Sequence, residues 1–432
     1  LKKKGEFAMP FTQIQSKTLH DSYYKLQHKT GLTIYVYPKE GYSSAYAIFG
    51  TKYGSVNRIF SVDGQKKITV PDGIAHYLEH KLFESEDGDA FSRYAKTGAS
   101  ANAYTSFDKT CYLFSCTQNF EQSLEILLDF VQTPYFTPQT VQKEQGIIGQ
   151  EIKMYDDSPD WRVMFNLLEA MYHNHPVKID IAGTVESIAN ITADTLYTCY
   201  NSFYNLNNMV LCVAGNVLPQ TVEEIADRLL KPCRKQTVQT FFPEEPYGVV
   251  RDYVEQTFPV RVPLFQLGFK GKAGDARCTA KELAQTDILL FALASNSSAL
   301  YRELMEENLI NATFSYEFFE GPSYSSIIFS GESRDPQKTA QIIKKHVDRI
   351  CEEGFDQQAF ETAKKAVYGE SVSMLNSTDA IANTLTEFAF TDRELFNYIE
   401  EIAHAKKEEV EQRFKAQLNS KNSALSVVRA EV

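Results

Sequence analysis

Two histidines four residues apart, with a glutamate directly before the second, stand at His76, Glu79 and His80 in the stretch HYLEH. On a helix, positions i and i+4 share one face and i+3 lies beside them, so the three side chains converge. Two imidazoles placed this way can hold a zinc ion through ring nitrogens and leave the carboxylate close to the metal. The order is the mirror of the zinc-binding motif H-E-x-x-H. The plain alternative is a solvated helix face on which two histidines happen to pair.

Zinc needs a third protein ligand, and the segment TPQTVQKEQGIIGQEIKMYDD (137–157) offers one. Thr137 suits a helix cap and Pro138 the first helical position. Val141, Ile148, Ile152 and Tyr155 mark an apolar stripe on this helix, and Glu144 and Glu151 fall on the same stripe, two turns apart. Inward carboxylates are costly unless paired or metal-bound, so this placement calls for a cation or strong donors. A pair of buried salt bridges would answer the same call.

The elements that must position these groups are legible around them. LTIYVYPKE (32–40), SAYAIFGTKYG (44–54) and KTCYLFSCTQ (109–118) read as strands, being β-branched and aromatic runs bounded by Gly, Lys and Asp. PDGIAHYLEHKLFE opens a helix with Asp72 as its expected cap, and FEQSLEILLDFVQ (120–132) reads as a further helix.

HYLEH followed by an inward E-x6-E helix resembles the pitrilysin/insulinase family of zinc peptidases, the inverzincins. That resemblance implies Zn2+ bound by His76, His80 and Glu151, a water activated by Glu79, and Glu144 supporting the catalytic site. GASANAYTSFDKTCYLFS (98–115), HPVKIDIAGTVESI (175–188) and FYNLNNMVLCVAGNV (203–217) are similar to further blocks of the family, so the likeness spans most of the first half. ASANAYTSF (99–107) resembles the family's edge strand, to which a substrate peptide adds through backbone hydrogen bonds, with Asn102, Ala103 and Thr105 as the implied binding residues. An ordinary interior strand with a loop is the other reading of that stretch.

The resemblance is to bacterial members of roughly 430 residues built as two homologous halves, and the chain carries traces of such a duplication. Shifted by 214 residues, VESIANITADTLYTCY (185–200) lies over IEEIAHAKKEEVEQRF (399–414), and Asn208, Leu211 and Val213 meet Asn422, Leu425 and Val427. A shift of 219 lays FTPQTVQKEQGIIGQE (136–151) on FDQQAFETAKKAVYGE (355–370). Repeats of this size are domains. The second copy has Ala363 for Glu144, keeps Glu370 for Glu151 and has no H-x-x-E-H, so only the first half can hold the zinc. The implied fold is α+β: two homologous domains, each a mostly antiparallel sheet packed with helices, in the duplicated manner of pitrilysin and mitochondrial processing peptidase. The expected segments are 9–231 for the zinc-bearing domain, 232–248 for a polar, proline-bearing linker and 249–432 for the second domain. Residues 1–8, LKKKGEFA, read as an expression remnant or a native basic tail.

Composition narrows the function classes. A chain of 432 residues, 43% hydrophobic and 23% charged, is long enough for two cores. Its net charge of −12, with no basic run, argues against a nucleic-acid partner. The seven cysteines are scattered and form no C-x-x-C pair, which points to a reducing compartment rather than a disulfide framework. No apolar run of about 18 residues occurs, so the expected location is cytoplasmic and away from membrane.

One departure bears on partners. The family often carries an arginine and a tyrosine seven residues apart, after S-x-L-Y-x-x-L in the second half, and these hold substrate near the zinc. Here Ser298, Leu300, Tyr301 and Leu304 are kept, but Met305 and Ala312 occupy the expected positions. Arg302 or Tyr316 would substitute through a local shift, or a second subunit would supply the pair in a homodimer or heterodimer. Three readings follow. The first is a zinc endopeptidase acting on peptides or small unfolded polypeptides. The second is a zinc-retaining, weakly active or non-catalytic subunit serving as scaffold or peptide-binding partner of another family member. The third is a metal-dependent hydrolase of a non-peptide substrate. Glu79 favours the first, because a purely structural zinc site has no use for an adjacent base.

Overall fold

Alternating and unbroken apolar runs in the first half become the strands β1 (Thr12–Ser16), β2 (Asp21–Gln27), β3 (Thr33–Pro38), β4 (Ala45–Thr51), β5 (Ser100–Thr105), β6 (Thr110–Cys116) and β7 (Met209–Gly215). This computed structural model describes residues 11–86, 88–272 and 277–431, so the basic stretch 1–8 lies outside the described residues. The seven strands form one sheet in the order β1-β2-β3-β7-β4-β6-β5. β7, MVLCVAG, is buried along its whole length and sits at the centre, which is why it reads as continuously apolar rather than alternating. It pairs parallel to β3 and antiparallel to β4.

The second half supplies β8 (Tyr253–Thr257), β9 (Leu264–Lys270), β10 (Ser315–Gly321), β11 (Tyr324–Glu332) and β12 (Ser423–Arg429), in the order β8-β12-β9-β11-β10. This repeats β3-β7-β4-β6-β5 strand for strand, with the same parallel first pair and antiparallel remainder. The repeat reaches individual residues. Leu211 faces Ile34 and Phe49 across its two ladders, and Leu425, 214 positions on, faces Tyr253 and Leu267. The fold is thus α+β with two homologous sheet-and-helix halves, as the resemblance implies.

The helices that matter to the site are α1 (Ile74–Leu82), α2 (Phe120–Val131), α3 (Pro138–Asp156) and α4 (Pro159–Met171). In the second half α5 (Ala280–Ala294), α6 (Pro336–Glu353) and α7 (Gln357–Met374) pack with the second sheet, and α8 (Thr378–Phe390) follows. Phe265, Leu267, Phe269, Ile327, Phe329 and Val427 from those strands meet Ile288, Ile343, Val347 and Phe360 from the helices in one apolar core.

The compact units are not continuous along the chain. One holds the residues up to Ile148, Ile181–Phe241 and Ser373–Phe396; the other holds Gly149–Asp180, Phe242–Val372 and the residues from Asn397 on. The segments 9–231 and 249–432 treat each half as unbroken, whereas α4 belongs with the second sheet and α8 with the first. Packing drives this exchange. Leu167 and Met171 of α4 come down onto Gly268 of β9, where a Cβ would lie 2.5 Å from the Met171 sulfur, and Phe390 of α8 comes down onto Gly50 of β4, where a Cβ would lie 3.2 Å from its ring. In the second unit a buried ion pair fastens the residues after α4. Lys270 Nζ meets Glu245 Oε1 at 2.6 Å, and the Glu245 carboxylate also accepts the backbone N–H groups of His173, Asn174 and His175. A buried charge pair satisfied on every side in this way is costly to break from one side.

Candidate metal centre and active site

α1 begins at a point of very close backbone contact. Gly73 adopts φ 85, and a Cβ there would lie 2.2 Å from the carbonyl oxygen of Ala182; a Cβ on Gly183 would lie 2.7 Å from that of Asp72. Ser187 Oγ donates to the Asp72 carbonyl at 2.9 Å. The IAGTVES stretch therefore acts as the seat on which α1 starts. Asp72 is not the helix cap: Gly73 holds that position, with no side-chain cap bond, and the Asp72 carboxylate pairs instead with Arg58. The backbone needs a left-handed residue here, which only glycine supplies cheaply.

From that start, α1 is buried on almost every side, Tyr77, Leu78 and Lys81 included. The Tyr77 hydroxyl donates to the Val141 carbonyl on α3, tying the two helices together. Thr137 caps α3 as expected, its hydroxyl accepting the Thr140 N–H at 3.2 Å. α3 is one unbroken helix from Pro138 to Asp156, so it carries Glu144 and Glu151 to fixed places relative to each other.

His76 and His80 lie ring to ring, 4.6 Å between centroids. His76, His80 and Glu151 each offer one ligand atom, and those atoms lie within 4.8 Å of one another. His80 Nδ1 meets Glu144 Oε1 at 3.1 Å. An ionised carboxylate only accepts, so Nδ1 carries a proton and Nε2 is the ring nitrogen that would hold a metal. Glu79, 8% exposed, accepts a hydrogen bond from the Thr105 hydroxyl on β5, 2.8 Å to Oε2. Behind it the phenols of Tyr112 and Tyr204 meet at 2.9 Å.

The electrostatics suit a ligand set. Burial, with His80 next to it, pushes the His76 imidazole down to about 3, which keeps it neutral and able to ligate. The hydrogen bond from His80 holds the Glu144 carboxyl below its ordinary range. Burial keeps Tyr112 and Tyr204 protonated, and the charge of Glu79 adds to that. Two imidazoles and one carboxylate match the donor set of a catalytic zinc site, so the residues present fit the metal.

The remaining expected residues are placed as follows. β5 is an edge strand, pairing only with β6 among the described residues. Asn102 is exposed on it and Ala103 half-buried, while Thr105 turns to Glu79. In the second half, Ala363 is buried in the apolar core where Glu144 has its counterpart, and Glu370 is exposed. Met305 and Ala312 are exposed; so is Arg302, and Tyr316 packs its ring against the core of its unit. Glu370 and Asp287 face the Tyr316 phenol closely enough that, after burial, their charges help push it up to about 12. Two contacts were not foreseen from the sequence: Thr105 as the partner of Glu79, and Tyr155, whose hydroxyl donates to Glu151 Oε1 at 2.8 Å. The i,i+4 spacing of Glu151 and Tyr155 was the available signal for the second.

Comparison with known proteins identifies the family. The family described as Insulinase (Peptidase family M16) matches residues 69–185, and the one described as Peptidase M16 inactive domain matches residues 190–367. A relative from Bacillus subtilis (strain 168), named uncharacterized zinc protease YmfH, is 42% identical over 406 residues, covering 92% of this chain and 94% of that one. This chain belongs to peptidase family M16. Among solved structures, an M16-like peptidase from Alicyclobacillus acidocaldarius is similar with a TM-score of 0.91 and 34% identity, covering 98% of this chain and all (100%) of that one. Pitrilysin shares the fold at 16% identity and a TM-score of 0.74, over 98% of this chain but 46% of its own. No described helix of this M16 chain is long and apolar enough to cross a membrane.

Proposed function

We propose that this chain is a zinc-dependent endopeptidase that hydrolyses peptides or small unfolded polypeptides. The observation that carries the reading is the convergence of His76, His80 and Glu151 next to a buried glutamate that belongs to none of the three. When bound, zinc supplies Lewis acidity at the scissile carbonyl and lowers the pKa of a coordinated water. Glu79 takes the proton of the attacking water and hands it to the leaving amine. Thr105 holds Glu79 Oε2 in place for both transfers, and Glu144 fixes the ring of His80. The free edge of β5, with Asn102 and Ala103, takes the substrate as an added strand. The scattered, unpaired cysteines support a reducing, cytoplasmic setting.

A second reading has its own support. Met305 and Ala312 stand, exposed, where the family often has its arginine and tyrosine. On this reading the chain keeps zinc but needs a second copy or a related chain to orient substrate. One experiment separates the two. A mixed peptide library is incubated with the purified chain, with and without chelator, and products are identified by mass spectrometry. Chelator-sensitive internal cleavage by the chain alone supports the endopeptidase; binding without cleavage supports the subunit.

A further inference from the structure

Trp161, the chain's one tryptophan, lies in the first turn of α4, ten residues beyond Glu151. Ser158 caps that helix by accepting the Trp161 backbone N–H, and this tight turn after α3 brings the indole over Tyr155. The two rings stack with centroids 4.5 Å apart and planes 16° from parallel. The indole N–H donates to the Asp180 carboxylate, and Phe165 supports the ring at 5.3 Å. From the other side of the stack, the Tyr155 hydroxyl donates to Glu151 Oε1 at 2.8 Å.

We propose that Tyr155, held by Trp161 and Asp180, is a positioning residue for the third metal ligand. This rests on the reading of Glu151 as that ligand. A glutamate on a helix turns about three bonds, so by itself it presents its carboxylate in many orientations. A phenol one turn further along can select one of them, but only if the phenol does not swing. The stack on Trp161 removes that freedom, and the bond to Asp180 fixes the indole in turn. With Oε1 already accepting the phenol's hydrogen bond, Oε2 is the oxygen left with its basicity undiminished for a metal. Outer partners of this kind typically change metal affinity about 10–100-fold.

The test uses the full chain, with zinc alone as the probe. Tyr155→Phe keeps the ring and its stack and removes only the hydroxyl. Its zinc affinity, measured by competition with a chromophoric chelator, is expected to fall about 10–100-fold, while thermal unfolding of the metal-free protein stays at the parent's temperature. Trp161→Leu, which keeps the hydroxyl but frees the ring, is expected to lose affinity by a smaller factor. In the parent, Trp161 emission is expected to change with the same midpoint as zinc uptake, and this change is expected to shrink in Tyr155→Phe. Zinc bound by Tyr155→Phe as tightly as by the parent would overturn the positioning role and leave the metal site standing. A fall in affinity matched by an equal loss of metal-free stability would also overturn it, as mere packing. A parent that takes up no zinc would remove the metal site itself, and the positioning role with it.

Discussion

Glu79 shares a helical face with two candidate ligands, and the hydroxyl of Thr105, from a different element, donates to its carboxylate. This separates binding from turnover at single residues. Glu79→Gln keeps the size of the side chain and removes the base, so zinc content should be unchanged while peptide turnover falls about 10²-fold or more. Thr105→Val should lower kcat by a smaller factor and leave KM near the parent's, since the hydroxyl orients Glu79; a rise in KM alone would instead make Thr105 a substrate contact. His76→Ala and His80→Ala each leave too few ligands for a mononuclear catalytic site. Metal analysis of both variants is expected to show less than stoichiometric zinc, and full occupancy in both would end the ligand assignment.

The start of α1 is set by close backbone contact rather than by a side-chain cap. Asp72 has the right residue type for a cap and the wrong task, because the close approach of Ala182 and Gly183 demands a left-handed glycine at position 73. That demand comes from a segment more than a hundred residues away, so no local pattern around HYLEH discloses it. Gly73→Ala is expected to destabilise the fold by more than the roughly 1–2 kcal/mol of a left-handed alanine, because its Cβ also overlaps the Ala182 carbonyl. It should shift α1 and weaken zinc binding. Gly64→Ala is the control. Gly64 has φ +71 and open space where a Cβ would stand, so it carries the conformational cost alone. Equal thermal shifts and equal zinc affinity in the two variants would show that the seat under α1 does not matter. The helices and strands named from periodicity are otherwise present: β3, β4, β6, α2 and α3 all fall within the segments expected for them.

At the scale of the whole molecule, the sequence raises the question of a partner. Its second half lacks the arginine and tyrosine at the expected positions, and Arg302 is exposed on a helix while Tyr316 is engaged with its own core. The isolated chain is therefore expected to cleave peptides slowly, since a misplacement of about 1 Å at the reacting carbonyl can cost on the order of 10²-fold. Co-purification from the native host, followed by assays on the chain and on any complex, checks this. Full-rate cleavage by the isolated monomer would return the task to Arg302, Tyr316 or another local group.

What the sequence determined by itself is whatever depends on neighbours a few turns apart. HYLEH puts two imidazoles and a carboxylate on one helical face, E-x6-E puts two carboxylates on another, and the 214-residue shift states the duplication, all from the periods of helix and strand. What tertiary structure decided is which distant groups meet. The seat of Gly73 on Ala182, the hydroxyl of Thr105 on Glu79, and the exchange of α4 and α8 between the two sheets all join residues far apart in sequence. Apolar periodicity says that α4 and α8 each have a face to bury, and it is silent on which sheet will cover it. That choice rests on shape: a glycine in β9 facing Leu167 and Met171, and another in β4 facing Phe390.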